Sequence, residues 1–317
     1  MSDWYYYQRA GELNRTLKKA IPVDMMKALH AKQPIRHFAV ALRQFALLLG
    51  LPWLIYLVGE SLLWLPVSVL LGFVVFSFSV LLHEVIHKCV FTKDRRGWSA
   101  FLGYVYGLCS GLAAAQFERW HMDHHQQLGS AEADPKRHYL SPKRHARWYK
   151  LLYCTPVLFP IYFKAAAQAA AGYPKDLQRK IRFQRLSVIA IHLSVLGGFA
   201  WIDPIFAVRA YVIPVFFVFP IAFTLNRLGQ HYVIEPNDIA QWSTLMRPNP
   251  LWNFLFIYSS YHLEHHYFPA VPFYKLRALQ RALDPFYAEK GVPHYSYSQL
   301  VWYWFVRNHK PHTAVGA

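Results

Sequence analysis

The chain contains 17 histidines, and eight of them fall into three short clusters whose spacing suits metal chemistry. The first is His83-Glu84-Val85-Ile86-His87, the second His121-Met122-Asp123-His124-His125, and the third His262-Leu263-Glu264-His265-His266. On a helix, residues at i and i+4, or at i, i+3 and i+4, lie on one face. HxxxH therefore presents two imidazoles together and HxxHH presents three. Neutral imidazole binds iron, zinc or copper. Eight convergent imidazoles exceed the coordination shell of one metal, so two metals are expected. Glu84, Asp123 and Glu264 inside the clusters, and Asp134 beyond the second, are candidates for the hydrogen bond that fixes a ligating ring. Solvation on a helix surface would explain the same four carboxylates.

The first cluster also satisfies HExxH, the zinc metalloprotease pattern with Glu84 as general base. A protease of that kind needs one further ligand and leaves the two HxxHH clusters without a role. A metal-binding membrane protein without catalysis is a third possibility. His30, His37, His138, His145, His192, His294, His309 and His312 have no ligand spacing, and His192 reads as a satisfied polar group within a span.

The elements that must position these clusters are membrane helices. Hydrophobic residues make up 55% of the 317 residues and charged residues only 16%, against about a quarter charged in soluble domains. A span needs about 20 mostly apolar residues. Segments 38–58, 61–82, 186–202 and 205–225 qualify and pair into two hairpins through Gly59-Glu60 and Asp203-Pro204. Arg43 and Arg209 sit near span ends, where their side chains can snorkel. Trp53, Tyr56, Trp64 and Trp201 sit where interfacial aromatics belong. Segment 98–117 is uncharged but reads as a re-entrant or interfacial hairpin, because a fifth span would separate His83 and His87 from His121. Its Gly103, Gly107 and Gly111 suggest close helix packing. Segment 151–172 is expected to lie in the interface, and 1–37 and 273–290 to form surface helices. Pro214 and Pro220 are expected to bend the fourth span.

The net charge is +17 and the pI about 9.8. No zinc-finger, RRM or basic-zipper pattern is present, so nucleic acid is excluded as a partner and the charge is assigned to the membrane surface. Neither short connection carries Lys or Arg, so the positive-inside rule places both termini and all three clusters on the cytoplasmic side. Cys89, Cys109 and Cys154 form no CxxC, which argues against a disulfide scaffold. The N-terminal residues lack the apolar run of a signal peptide, so the first span is expected to direct insertion. The fold class expected is an all-α integral membrane protein. Its four transmembrane helices form two hairpins, with a cytosolic helical cap carrying the histidine clusters. Residues 1–317 are read as one domain.

These residues resemble the membrane fatty acid desaturase and hydroxylase superfamily. HxxxH, HxxHH, a hairpin of spans and a final HxxHH follow its order, with Arg119-Trp120 before the second cluster and Asp134-Pro135 after it. Residues 261–276, YHLEHHYFPAVPFYKL, are similar to sphingolipid desaturases and carotenoid ketolases. The resemblance implies a non-haem centre of two iron ions, O2 as co-substrate and a fatty acyl or similar lipid substrate in a bent apolar tunnel. It also implies a ninth ligand, His231, beside His83, His87, His121, His124, His125, His262, His265 and His266. An asparagine four positions before that ninth histidine assists through water in some members. Here Arg227 occupies that position, leaving Asn226 and Gln230 as candidates. No HPGG haem motif is present, so electrons are expected from a separate ferredoxin, rubredoxin or cytochrome b5-like donor. The expected activity is fatty acid desaturation, with hydroxylation, carotenoid ketolation or oxidative decarboxylation to a terminal alkene as alternatives of the same chemistry. The short termini point to a bacterial inner membrane, or to the ER membrane in a eukaryote.

Overall fold

The computed structural model describes residues 6–94 and 96–314. In chain order its principal helices are α1 (Tyr6–Ala20), α2 (Val23–His30), α3 (Pro34–Val58), α4 (Trp64–Ile86), α5 (Trp98–Ser110), α6 (Ala114–Gln127), α7 (Leu158–Ala170), α8 (Lys175–Ile202), α9 (Pro204–Tyr232), α10 (His262–Tyr267) and α11 (Phe273–Lys290). Among the described residues, the strand pairing is a short parallel contact of Leu245–Met246 with His294–Tyr295. The chain divides into two compact units. One comprises residues 33–118 and 152–224; the other comprises 1–32, 119–151 and 225–317.

The first unit holds most of the apolar sequence. α3, α4, α8 and α9 contain 25, 23, 28 and 29 residues and are long and apolar enough to cross a bilayer. At 1.5 Å per residue each exceeds the roughly 30 Å hydrocarbon core. Each is longer than its apolar stretch alone. α3 starts at Pro34, which suits the first helical position because it has no N–H to leave unpaired. α8 begins eleven residues before Leu186, because Lys175 to Arg185 continue the helix as a charged amphipathic extension. α9 runs past Leu225 to Tyr232. α8 is largely exposed, with Leu186, Ile189, Leu193 and Trp201 outward, as a lipid-facing helix requires. The protein is an integral membrane protein built on these four helices.

α9 is widened by i→i+5 turns from Val208 to Val218, a stretch that contains Pro214. Proline has no N–H to donate and clashes with the preceding turn, and a widened turn accommodates both. Arg209 does not merely snorkel. Its Nη1 donates to the Gly59 carbonyl at 2.6 Å and its guanidinium lies 5.2 Å from the Trp64 ring centre. It thereby ties the start of α9 to the α3–α4 connection. Asp203 caps α9 by accepting from the Ile205 N–H at 2.9 Å.

α5 and α6 are bent by 99° across a short break, as a broken span or a re-entrant loop would be. The three glycines expected to pack helices divide their work. A Cβ on Gly103 would make ordinary contacts with Leu82 and Val85 of α4. A Cβ on Gly107 would lie 2.6 Å from the Leu112 carbonyl, and Gly111 adopts a left-handed φ of +75° that ends α5. The latter two build the bend. Several polar groups of this unit are paired internally, as lipid favours. His192 lies 2.7 Å from the Tyr211 hydroxyl and 2.9 Å from the Leu108 carbonyl, and Gln44 donates to Ser77 at 2.7 Å. The carbonyl can only accept, so His192 Nε2 donates to it and Nδ1 accepts from Tyr211.

The second unit is organised around helices whose apolar residues recur at helical spacing. α1 packs on α11 and buries Leu13 and Leu17, while α11 buries Leu276, Leu279 and Leu283. The expected surface segment 1–37 is described only from residue 6 onward.

Close packing of α4 on α9 sets a first test. A Cβ on Gly72 would overlap Val218 and lie 2.8 Å from the Pro214 carbonyl. Gly72→Val is expected to destabilise the membrane unit by about 1–3 kcal/mol. Thermal unfolding in detergent should show a lowered Tm, whereas Gly50→Val, at a position with open space, should change it little.

Candidate metal centre

Seven histidines converge in the second unit. α6 presents His121, His124 and His125 on one face, and the six-residue α10 presents His262, His265 and His266. His231 stands at the end of α9, where its φ of −124° and ψ of 16° leave helical geometry and turn the ring aside. The ligand atoms fall into two groups. His124, His231, His262 and His266 form one, and His121, His125 and His265 belong to the other; within each group the candidate atoms lie within 4.8 Å of one another.

Distances between ring nitrogens are short. His124 Nε2 is 3.1 Å from His231 Nε2, which is 3.0 Å from both His262 Nε2 and His266 Nε2. In the other group His121 and His125 face each other at 2.9 Å, and His125 and His265 at 3.2 Å. A metal–nitrogen bond of about 2.1 Å places neighbouring ligands of an octahedral shell about 3.0 Å apart. The observed spacings match that edge, so each nitrogen group fits one metal ion.

The far nitrogens of three of the rings, His121, His124 and His231, are met from outside. Both oxygens of Asp134 lie within 3.0 Å of His124 Nδ1. His231 Nδ1 is 2.7 Å from the Trp242 carbonyl, which can only accept, so Nδ1 carries the proton and Nε2 keeps its lone pair toward the centre. Asp134 also accepts from the Lys136 N–H at 2.9 Å. Sequence reading did not single out Lys136, whose Nζ is 3.0 Å from His121 Nδ1. Burial, and after it the charge of Arg227, lowers this ammonium to about 7, with Asp134 opposing the shift. Burial also holds His124 well below the usual histidine range, helped by the charge of Lys136. His266 is lowered by burial and by neighbouring rings, His125 first. Both rings are neutral at pH 7, the form that binds metal.

The carboxylates inside the clusters act differently from Asp134. Glu264 is fully buried, and burial raises its carboxyl to about 7. Its Oε1 accepts from Gln280 at 2.8 Å and from Tyr287 at 3.1 Å, which fastens α10 to α11. Asp123 pairs with Arg119 at 3.0 Å on the outer side of α6. Asn226 donates to Ser259 and accepts from Gln230 at 2.9 Å, so these two form one polar link beside His231. In the first unit, His83 and His87 lie at the end of α4 with ring centres 4.6 Å apart. Glu84 is buried, with Oε1 3.9 Å from His83 Nδ1, too long for a hydrogen bond.

The C-terminal segment braces the residues next to His231. The Tyr232 carbonyl accepts from the His312 N–H at 3.0 Å, and His312 Nε2 lies 2.8 Å from Ser141 Oγ. Lys150 is buried, donates to the carbonyls of Trp304 at 3.0 Å and His309 at 2.6 Å, and sits 4.3 Å from the Trp304 ring centre.

Comparison with known proteins points to a family. The family model described as fatty acid desaturase matches residues 60–298. The sphingolipid delta(4)-desaturase/C4-monooxygenase of Homo sapiens is 26% identical over 240 residues, covering 73% of this chain and 68% of its own. The sphingolipid delta(4)-desaturase of Mus musculus is 26% identical over 244 residues with the same coverage. The sphingolipid delta(4)-desaturase/C4-monooxygenase of Bos taurus is 24% identical over 309 residues, covering 95% of this chain and 89% of its own.

Two outcomes follow from the outer hydrogen bonds and the buried rings. Asp134→Ala removes the acceptor of His124 Nδ1 and is expected to lower metal affinity by about 10–100-fold, measured by chelator competition with elemental analysis. In chelated protein, His124 and His266 have folded pKa values below the unfolded value of about 6.5. Their contribution to stability is therefore complete above about pH 6.5 and is lost as the pH falls below it. Melting curves between about pH 8 and 5 should show Tm falling on the acid side.

Proposed function

We propose a reaction from one premise: this chain belongs to the fatty acid desaturase family. At that level it is a membrane oxidoreductase acting on lipid. The finer reading is an O2-dependent di-iron enzyme that introduces a double bond into a fatty acyl or similar long chain. The observation that carries it is the pair of nitrogen groups with metal-shell spacing. The proposed ligands are His121, His125 and His265 with His83 and His87 of the first cluster, and His124, His231, His262 and His266. The two units are proposed to work as a single domain, with the centre on the cytoplasmic side, where the positive-inside rule assigns the clusters.

Unactivated C–H bonds lie beyond acid–base side chains, and bound iron with O2 supplies the hydrogen abstraction they cannot perform. The chain's own residues supply orientation and a dry site. Asp134 and the Trp242 carbonyl hold His124 and His231 with Nε2 inward. Glu264, Gln280 and Tyr287 fix the helix that carries the third cluster. Burial of His121, His124, His231, His262, His265 and His266 keeps bulk water from their rings. Electrons are proposed to come from a separate ferredoxin, rubredoxin or cytochrome b5-like protein, attracted by a chain of net charge +17. Hydroxylation is the second reading, supported by a relative whose name joins desaturase and C4-monooxygenase activities.

Expression of the chain with an electron donor, followed by lipid profiling, tests the reaction. A new double bond or hydroxyl, lost in His124→Ala, is the expected result, with about two irons per chain in the purified protein. About one zinc and no iron per chain would overturn the di-iron reading in favour of an HExxH protease.

A further inference from the structure

A groove of about 660 Å³ opens between the end of α7 and the start of α8 in the first unit. Its floor includes Ala170 and Ile181, and its wall carries Lys175, Arg179, Arg182 and Arg185 from successive turns of α8. These four cations lie at helical spacings of three and four, on the same face. Such like-charge neighbours repel, and cations in the first turns of a helix oppose its dipole. Little nearby charge relieves them. Asp176 reaches Arg179 only at 3.9 Å, with both side chains exposed, where pairing is weak. Arg185 donates twice to Gln116 Oε1, which fixes its guanidinium at the groove. Lys175 and Arg182 have no ion pair or hydrogen bond from their side chains among the described residues.

The depth of this groove along α8 identifies its occupant. Charged residues end at Arg185, and the uncharged, outward-facing stretch from Leu186 to Ile202 follows at once. On a membrane-spanning helix that boundary marks the passage from headgroups to hydrocarbon, and cations there face lipid phosphates. The apolar floor beside the cations suits the glycerol and upper acyl region of the same molecule. We propose that this groove is a binding site for the phosphate-bearing headgroup of an anionic phospholipid, held by Lys175, Arg179, Arg182 and Arg185. Its acyl chains lie along the exposed Leu186, Ile189 and Leu193.

Native mass spectrometry of the full chain, released from nanodiscs of mixed phosphatidylglycerol and phosphatidylcholine, tests this. The wild type is expected to retain phosphatidylglycerol preferentially. The triple variant Lys175→Gln/Arg179→Gln/Arg182→Gln is expected to lose that preference at least about tenfold, since each cation at an anionic surface contributes a factor of about five. A charge-matched control, Arg277→Gln/Arg281→Gln/Lys290→Gln, should retain it. If the triple variant fails to fold, Arg182→Gln alone decides, with an expected drop of about fivefold. Retention of both lipids alike by the wild type, equal loss in the control, or displacement by inorganic phosphate without lipid preference would overturn the proposal.

Discussion

The convergence of ring nitrogens on a common interior governs the second unit. In the second unit seven imidazoles point ring nitrogens at one another across roughly 3 Å. His231 Nδ1 is protonated toward a carbonyl acceptor, so its Nε2 cannot donate to its neighbours. Its lone pair is met by an N–H that a neighbouring ring turns inward, or by a cation. The architecture holds this arrangement in place through Asp134 behind His124, Trp242 behind His231, Glu264 behind α10 and burial around all of them. Because neutral nitrogen is the ligating form, folding and metal binding are thermodynamically linked.

The first unit meets a different constraint. Within hydrocarbon no polar group can be left to water, and several polar residues that interrupt the apolar helices find a partner nearby. His192 joins Tyr211 and Leu108, Gln44 joins Ser77, and Arg209 reaches the Gly59 carbonyl. The apolar body of α9 continues without a break into the backbone turn that carries His231. A membrane segment and a proposed ligand are thus parts of one continuous element. This economy is consistent with a lipid-oxidising family in which span order and histidine order are read together.

Much of this was legible in the sequence because both signals are local. Twenty apolar residues announce a span, and HxxHH announces one helical face. Boundaries were less legible, since Lys175 to Arg185 belong to the same helix as the apolar stretch and no hydropathy signal includes them. The glycine stripe of α5 was legible as a small-residue pattern. That Gly107 and Gly111 form a bend depended on backbone angles invisible to spacing. Asp134 stood out only as a carboxylate near a cluster, while Asp123 and Glu264 looked equivalent to it. Which carboxylate meets a ring is decided by tertiary placement, as are Lys136 against His121 and the pairing of Gln280 and Tyr287 with Glu264.

The bracing of the C-terminal segment has a practical side. Residues 304–313 return to the chain beside His231, where His312 and Thr313 bond to Tyr232 and Ile234, and buried Lys150 grips two of their carbonyls. Residues 304–313 thus act as a clasp beside His231, more than 70 positions earlier in the chain. Truncation at Arg307, or a bulky affinity tag placed directly against Thr313, would loosen that clasp and reach the proposed metal ligands without altering one of them. A tag separated from this clasp by a flexible spacer avoids that strain.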